Sequence, residues 1–195
     1  MVLQTIIVML NNIKPKTGRL LISEPFMADP NFKRSVVLLT EHGADGTVGY
    51  ILNQVGNLLL KDVIQDLWDA NNHIYFGGPV AADTLHFIHR AYDKLQSGEE
   101  IGNGIYWGGN FETLKILINS NAIQEDEIKF FMGYSGWDDG QLTRELEQNA
   151  WMVGDISHPD LIFNNDDEKL WRDVVVNLGP KYAHVSNFPT DPSLN

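Results

Sequence analysis

The sequence predicts an α+β domain, with a mixed and largely antiparallel sheet surrounded by short helices. Three observations carry this expectation. Short β-branched and apolar runs recur along the chain, bounded by Gly, Asp-Gly and Pro signals. Helical periodicity is confined to a few brief segments between those runs. Most of the intervening connections are too short for the crossover helices that parallel neighbours require. A length of 195 residues suits one domain, and 43% hydrophobic against 21% charged residues supplies a core.

The elements follow in order. Met1–Leu10, MVLQTIIVML, is apolar, but it is about half the roughly 20 residues that a spanning helix needs. No Lys or Arg precedes its apolar part and no small-residue cleavage site follows. Residues 1–17 are therefore expected to pack on the core, ahead of a domain at 18–182 and a loose tail at 183–195. Leu20–Ser23 reads as a strand, and Ser35–Thr40 as a buried one. Glu41–Gly46 carries turn signals and Thr47–Asn53 resumes as a strand, so a hairpin is expected across 36–53. Asn57 is placed to cap a helix to about Asp69, with Leu60, Val63, Ile64, Leu67 and Trp68 on one face. His73–Phe76 is a strand that ends at the breaker cluster Gly77-Gly78-Pro79.

Leu85–His89 and Gly104–Trp107 alternate as strands, and Asn110 opens a helix burying Phe111, Leu114, Leu117 and Ile118. Glu127–Met132 is a strand expected to stop in a turn at Gly133–Trp137. Asp138 with Gln141 resembles a capping box for a helix to about Asn149, before a strand at Trp151–Ile156. A last helix begins near Asn165, with Asp166, Asp167 and Glu168 at its positive end, and stops at Gly179-Pro180.

Composition narrows the function classes. With no cysteine, disulfides, thiolate metal sites and thiol nucleophiles are excluded. Cysteine usage and the N-terminal reading together favour a cytoplasmic protein with no membrane anchor. The net charge of −12 argues against a broad phosphate-neutralising surface, and hence against direct DNA binding. The charge is uneven, however. Residues 1–40 carry net +3 through Lys14, Lys16, Arg19, Lys33 and Arg34, where an acidic ligand or partner would dock.

Few motifs point to chemistry. Ser135 in Gly-Tyr-Ser-Gly-Trp lacks the glycine that a nucleophile elbow needs two positions on, where Trp137 stands. Asp83, His86 and His89 would converge on a helix, but on a strand His86 and His89 face opposite ways. No metal or cofactor is expected. His158-Pro159-Asp160 reads as a turn, and Gly77-Gly78 lacks phosphate-loop spacing. Arg34, Glu41, His42 and Asn53 would flank the 36–53 hairpin, as a polar site or as structural pairing.

Taken together, several blocks are distinctive. Gly18–Asp29 runs into Phe32–His42, followed by Gly46–Asn53, by Gly77–Val80, and by Gly133–Leu142 with Glu145 and Trp151. In this order and spacing they resemble the YqgE/AlgH family of bacterial proteins, over roughly residues 18–180. The resemblance implies a bifurcated, partly barrel-like sheet. It implies a transcriptional-regulator role without agreed catalytic residues. Separately, the expected partner is an unknown protein or a small acidic ligand, and the expected state is a monomer or weak homo-oligomer. The positions matching its motifs are Arg34, Glu41, His42, Asn53, Gly77, Gly78, Ser135, Gly136, Trp137 and Gln141. The alternative is a small-ligand-binding protein or enzyme, its polar site formed where the 34–53 hairpin meets the 133–137 turn.

Overall fold

The computed structural model describes residues 13–188 apart from Asp69, Ser157, Asn164, Asn165 and Lys181. The Met1–Leu10 segment and the tail beyond Phe188 lie outside the described residues. Ten strands form one sheet: β1 (Arg19–Ser23), β2 (Val36–Gly43), β3 (Gly46–Ile51), β4 (Val55–Leu59), β5 (His73–Phe76), β6 (Val80–His89), β7 (Glu99–Gly102), β8 (Ile105–Trp107), β9 (Ile128–Trp137) and β10 (Trp151–Asp155). The helices are α1 (Leu60–Val63), α2 (Tyr92–Leu95), α3 (Phe111–Asn119), α4 (Gln141–Glu147), α5 (Asp160–Phe163) and α6 (Asp167–Asn177). Strand order is β10-β1-β2-β3-β9-β6-β8-β7, with β4 and β5 on a side branch. The β5–β9 pair is parallel, and the other described pairs are antiparallel.

Period-two alternation explains the continuous apolar runs of β1 and β2. Leu20, Ile22, Val36 and Leu38 point to one cluster with Tyr50, Phe131 and Trp171. Leu21, Val37 and Leu39 point to another with Trp137 and Trp151. Both faces of these strands are therefore buried, as uninterrupted hydrophobic patterning requires. A third cluster packs Leu114 and Ile118 of α3 on Phe87 and Phe130.

The expected bifurcation falls on β9. One edge of β9 pairs β5 at Phe130–Met132 and then β3 at Ser135–Trp137, while its other edge pairs β6. The change of partner occurs at Gly133, whose φ is +68°. The sheet also curls: a Cβ on Gly18 would lie 2.0 Å from the Ile101 carbonyl oxygen, and Asn103 Nδ2 donates to Ile156 O at 3.3 Å. Strand β7 thus abuts the β1–β10 end without pairing to it, so the barrel-like character stops at an open, curled sheet.

Three expectations need correction. The turn at Gly133–Trp137 is instead the second half of β9, because glycine's positive φ kinks the strand without ending its ladder. The helix over 57–69 is replaced by β4 and the single turn α1. Its backbone bonds sideways, with Leu60 N–H donating to Asn72 O at 2.9 Å and Lys61 N–H to Ala70 O at 3.2 Å. Gly56 lies close on β5, and the supposed apolar stripe divides, with Leu60 and Leu67 buried and Trp68 exposed. Tertiary strand pairing overrides the helical spacing. The stretch from residue 183 is packed as far as Phe188, since Val185 and Ser186 are buried and the Phe188 ring stacks on Phe26 at 5.7 Å.

Helix α6 is fastened to the sheet by a buried charge. Lys129 of β9, 6% exposed, places its Nζ 3.0 Å from Asp167 Oδ1 and over the Tyr75 ring. The Tyr75 hydroxyl donates to the other Asp167 oxygen at 2.8 Å. Burial pushes the Lys129 pKa down and the Tyr75 pKa up, while Asp167 holds the lysine charge against that trend.

Two outcomes are expected. Gly133→Ala would place a Cβ 2.6 Å from Gly78 O at a left-handed φ, so urea unfolding should show a loss of about 2 kcal/mol or more. His89 is fully buried, its Nε2 bonded to Ser97 O, and burial depresses its pKa and that of His86 below 6.5. Below that pH the unfolded chain takes up protons that the folded chain refuses. Stability should therefore be complete above pH 6.5 and fall as pH drops toward the depressed folded values, by at most about 1.4 kcal/mol per pH unit for each ring. Urea midpoints at several pH values would show the slope, and His89→Leu should flatten it.

Candidate functional site

The hairpin of β2 and β3 has a bulge at Thr40, where Leu39 pairs Gly49 but Glu41 pairs Val48. Thr40 itself is buried, and beyond it Glu41, His42 and Gly43 are all exposed. The bulge therefore lifts the hairpin tip out of the sheet and turns consecutive polar residues toward solvent. His42 Nδ1 lies 2.7 Å from Thr47 Oγ1, across the pair that closes on the two-residue loop Ala44-Asp45. That hydrogen bond fixes the ring on the wall of the cleft.

The tip forms one wall of an open cleft of about 710 Å³. The end of β9 supplies Tyr134, Gly136 and Trp137, the approach to α4 supplies Asp138 and Gln141, and the curled sheet brings in Glu99 of β7. Glu41, Asp45, Glu99 and Asp138 line this cleft, and among the described residues no Lys or Arg does. Asp45, Glu99 and Asp138 carry no site signal in the sequence, where Asp138 reads as a helix cap. Asp45 read only as a turn residue, and Glu99 lies on a strand with no visible alternation.

The ten motif positions separate into three groups. Glu41, His42, Gly136, Trp137 and Gln141 meet in the cleft. Arg34 and Asn53 lie in a second cavity of about 600 Å³ beside α6. Asn53 is occupied by backbone, accepting from Val36 N and donating to Arg34 O, each at 2.9 Å. Gly77, Gly78 and Ser135 are interior. Ser135 is fully buried and its hydroxyl donates to Gly77 O at 3.0 Å, a backbone bond in place of any nucleophile geometry. His86 bonds to Thr84 and His89 to Ser97 on strand β6, so the two histidines do not converge. Among the described residues no group of three His, Asp or Glu is placed to hold a metal ion. Arg19, counted in the N-terminal basic group, is committed to Asp155 at 2.7 Å.

The cleft floor is held from behind by Glu145. One of its oxygens accepts from the indoles of Trp137 at 2.8 Å and Trp151 at 2.7 Å, and the other accepts from Gln141 Nε2 at 2.9 Å. Gln141 in turn accepts from Asp138 N at 3.0 Å, the surviving half of the expected capping box. Trp137 and Gln141 are therefore braced by one carboxylate.

A bifurcated, curled α+β sheet with an acidic cleft at a raised hairpin tip defines a single-domain fold whose motif residues are shared between architecture and surface. The AlgH-like family model matches residues 20–183, and the chain belongs to that family. A UPF0301 protein of Cytophaga hutchinsonii is 41% identical over 180 residues, covering 91% of this chain and 98% of its own. Another from Bacteroides thetaiotaomicron is 38% identical over 186 residues, covering 95% and 94%. The solution structure of the AlgH protein of Pseudomonas aeruginosa superposes with a TM-score of 0.68 at 29% identity, covering 91% of this chain and 98% of that one. A crystal structure from Corynebacterium diphtheriae shares the fold with a TM-score of 0.76 at 22% identity, covering 93% and 96%. Among the described residues no helix is long and apolar enough to cross a membrane.

Glu145→Ala would take one acceptor away from two buried indoles at once. Denaturant unfolding followed by tryptophan fluorescence should show a loss of about 2–4 kcal/mol.

Proposed function

We propose that this protein is a regulatory binding protein with no chemistry of its own, which receives a basic segment of a partner protein in the hairpin-tip cleft. The observation that carries the reading is the lining: four carboxylates, from Glu41, Asp45, Glu99 and Asp138, with no lysine or arginine among the described residues there. Such a wall attracts cationic side chains and repels a phosphate backbone. Regulation of transcription would then proceed through a protein and not through DNA. The cleft is open and borders the exposed hairpin tip, a shape suited to an extended peptide more than to an enclosed substrate. A chain without cysteine suits the reducing cytoplasm, where we place this activity.

A fluorescein-labelled Lys/Arg-rich peptide with Gly-Ser spacers provides the test by anisotropy. Binding should be salt-sensitive and should weaken roughly tenfold in the Glu41→Gln/Asp45→Asn variant. Removing the same charge at Asp93 and Glu125, on other surfaces, should leave it unchanged. A flat titration, or equal loss from both variants, would overturn the reading.

A further inference from the structure

The second cavity, between the start of β2 and helix α6, has the opposite electrical character. Lys33 and Arg34 line one side, Lys169 and Arg172 the other, with Asp167 and Glu168 as the acidic members. Asp167 is already committed to Lys129 at 3.0 Å and to Tyr75 at 2.8 Å. Lys169 is paired with Asp166 at 2.5 Å. That leaves Lys33, Arg34 and Arg172 against Glu168, an excess of two positive charges in a chain of net −12.

Arg34 is held there at some cost. Its φ is +50°, a left-handed conformation that a long side chain rarely adopts. Asn53 clamps the chain just after it, donating to Arg34 O and accepting from Val36 N–H, and the guanidinium stacks 4.7 Å from the Trp171 ring while one of its terminal nitrogens donates to Phe188 O. Its Nε is buried and has no hydrogen-bond partner among the described residues. A rigid guanidinium beside Lys33, and across a cavity of about 600 Å³ from Arg172, is an arrangement that a multivalent oxyanion satisfies.

We infer that this cavity is a binding site for a small anion carrying at least two negative charges, either a phosphorylated molecule or a polycarboxylate. Arg34 presents the guanidinium fork, and Lys33 and Arg172 close the charge around it, with Arg172 held by Asn187 Oδ1 at 3.1 Å. The site lies at the other end of β2 from the acidic cleft, so it stands or falls independently of the peptide reading.

Isothermal titration at low ionic strength, with inorganic pyrophosphate and with citrate as probes, tests this on the intact protein. At least one probe should bind with a stoichiometry of one, and the preferred probe identifies phosphate or carboxylate as the source. Lys33→Gln/Arg172→Gln, which alters only exposed side chains, should weaken binding roughly tenfold. Arg34→Lys, which keeps the charge and loses the fork, should also weaken it. Lys16→Gln/Lys61→Gln, which removes equal charge elsewhere, should not. Absence of heat with both probes, or wild-type affinity in the Lys33/Arg172 variant, would overturn the assignment.

Discussion

The architecture turns on one close backbone crossing, where Gly77 and Gly78 pass against Gly133–Ser135 of β9. A Cβ on Gly77 would stand 2.3 Å from Gly133 O, and one on Gly78 would stand 2.3 Å from the Tyr134 carbonyl. No side chain other than hydrogen fits between these segments. The Gly77 carbonyl accepts from Ile51 N–H and from the Ser135 hydroxyl, both at 3.0 Å, so β3, the end of β5 and β9 are tied at one atom. Because the crossing is tight, β9 can leave β5, turn at Gly133 and take β3 as its next neighbour. The meeting of the β2–β3 hairpin with the end of β9, which frames the cleft, follows from that exchange.

The sequence patterns that were legible are those set by local rules. The β2–β3 hairpin, the Asn110 cap on α3 and the burial of β2 follow from turn residues, a capping side chain and an unbroken β-branched run. Illegible features depend on partners distant in the chain. Gly133 has the same letter whether it ends a strand or kinks one, and only the approach of Gly78 and Val80 decides which. Leu60 and Leu67 fit a helical stripe as well as they fit β4 and its following turn, until the pairing with β5 is known.

The motif positions show the same division at the level of function. Sequence alone gives Ser135, Trp137 and Glu41 equal standing. The structure uses the first to satisfy a carbonyl, braces the second through Glu145, and leaves the third exposed on the cleft wall. Glu145 and Trp151 belong with the Gly133–Leu142 block for a physical reason: one carboxylate serves the indoles of both Trp137 and Trp151. Arg34 and Glu41 are neighbours in sequence but lie toward opposite ends of a strand buried on both faces, so the hairpin cannot gather them into one site.

That strand has an electrical consequence. Eight residues at a rise of roughly 3.3 Å each hold the carboxylate-rich tip and the guanidinium-rich end about 26 Å apart. The intervening apolar core, poor in mobile charge, does little to screen one end from the other. The two ends of this strand therefore carry local potentials of opposite sign on an acidic body. Orientation before contact is then set by the fold itself, over the roughly 8–10 Å that physiological salt leaves unscreened.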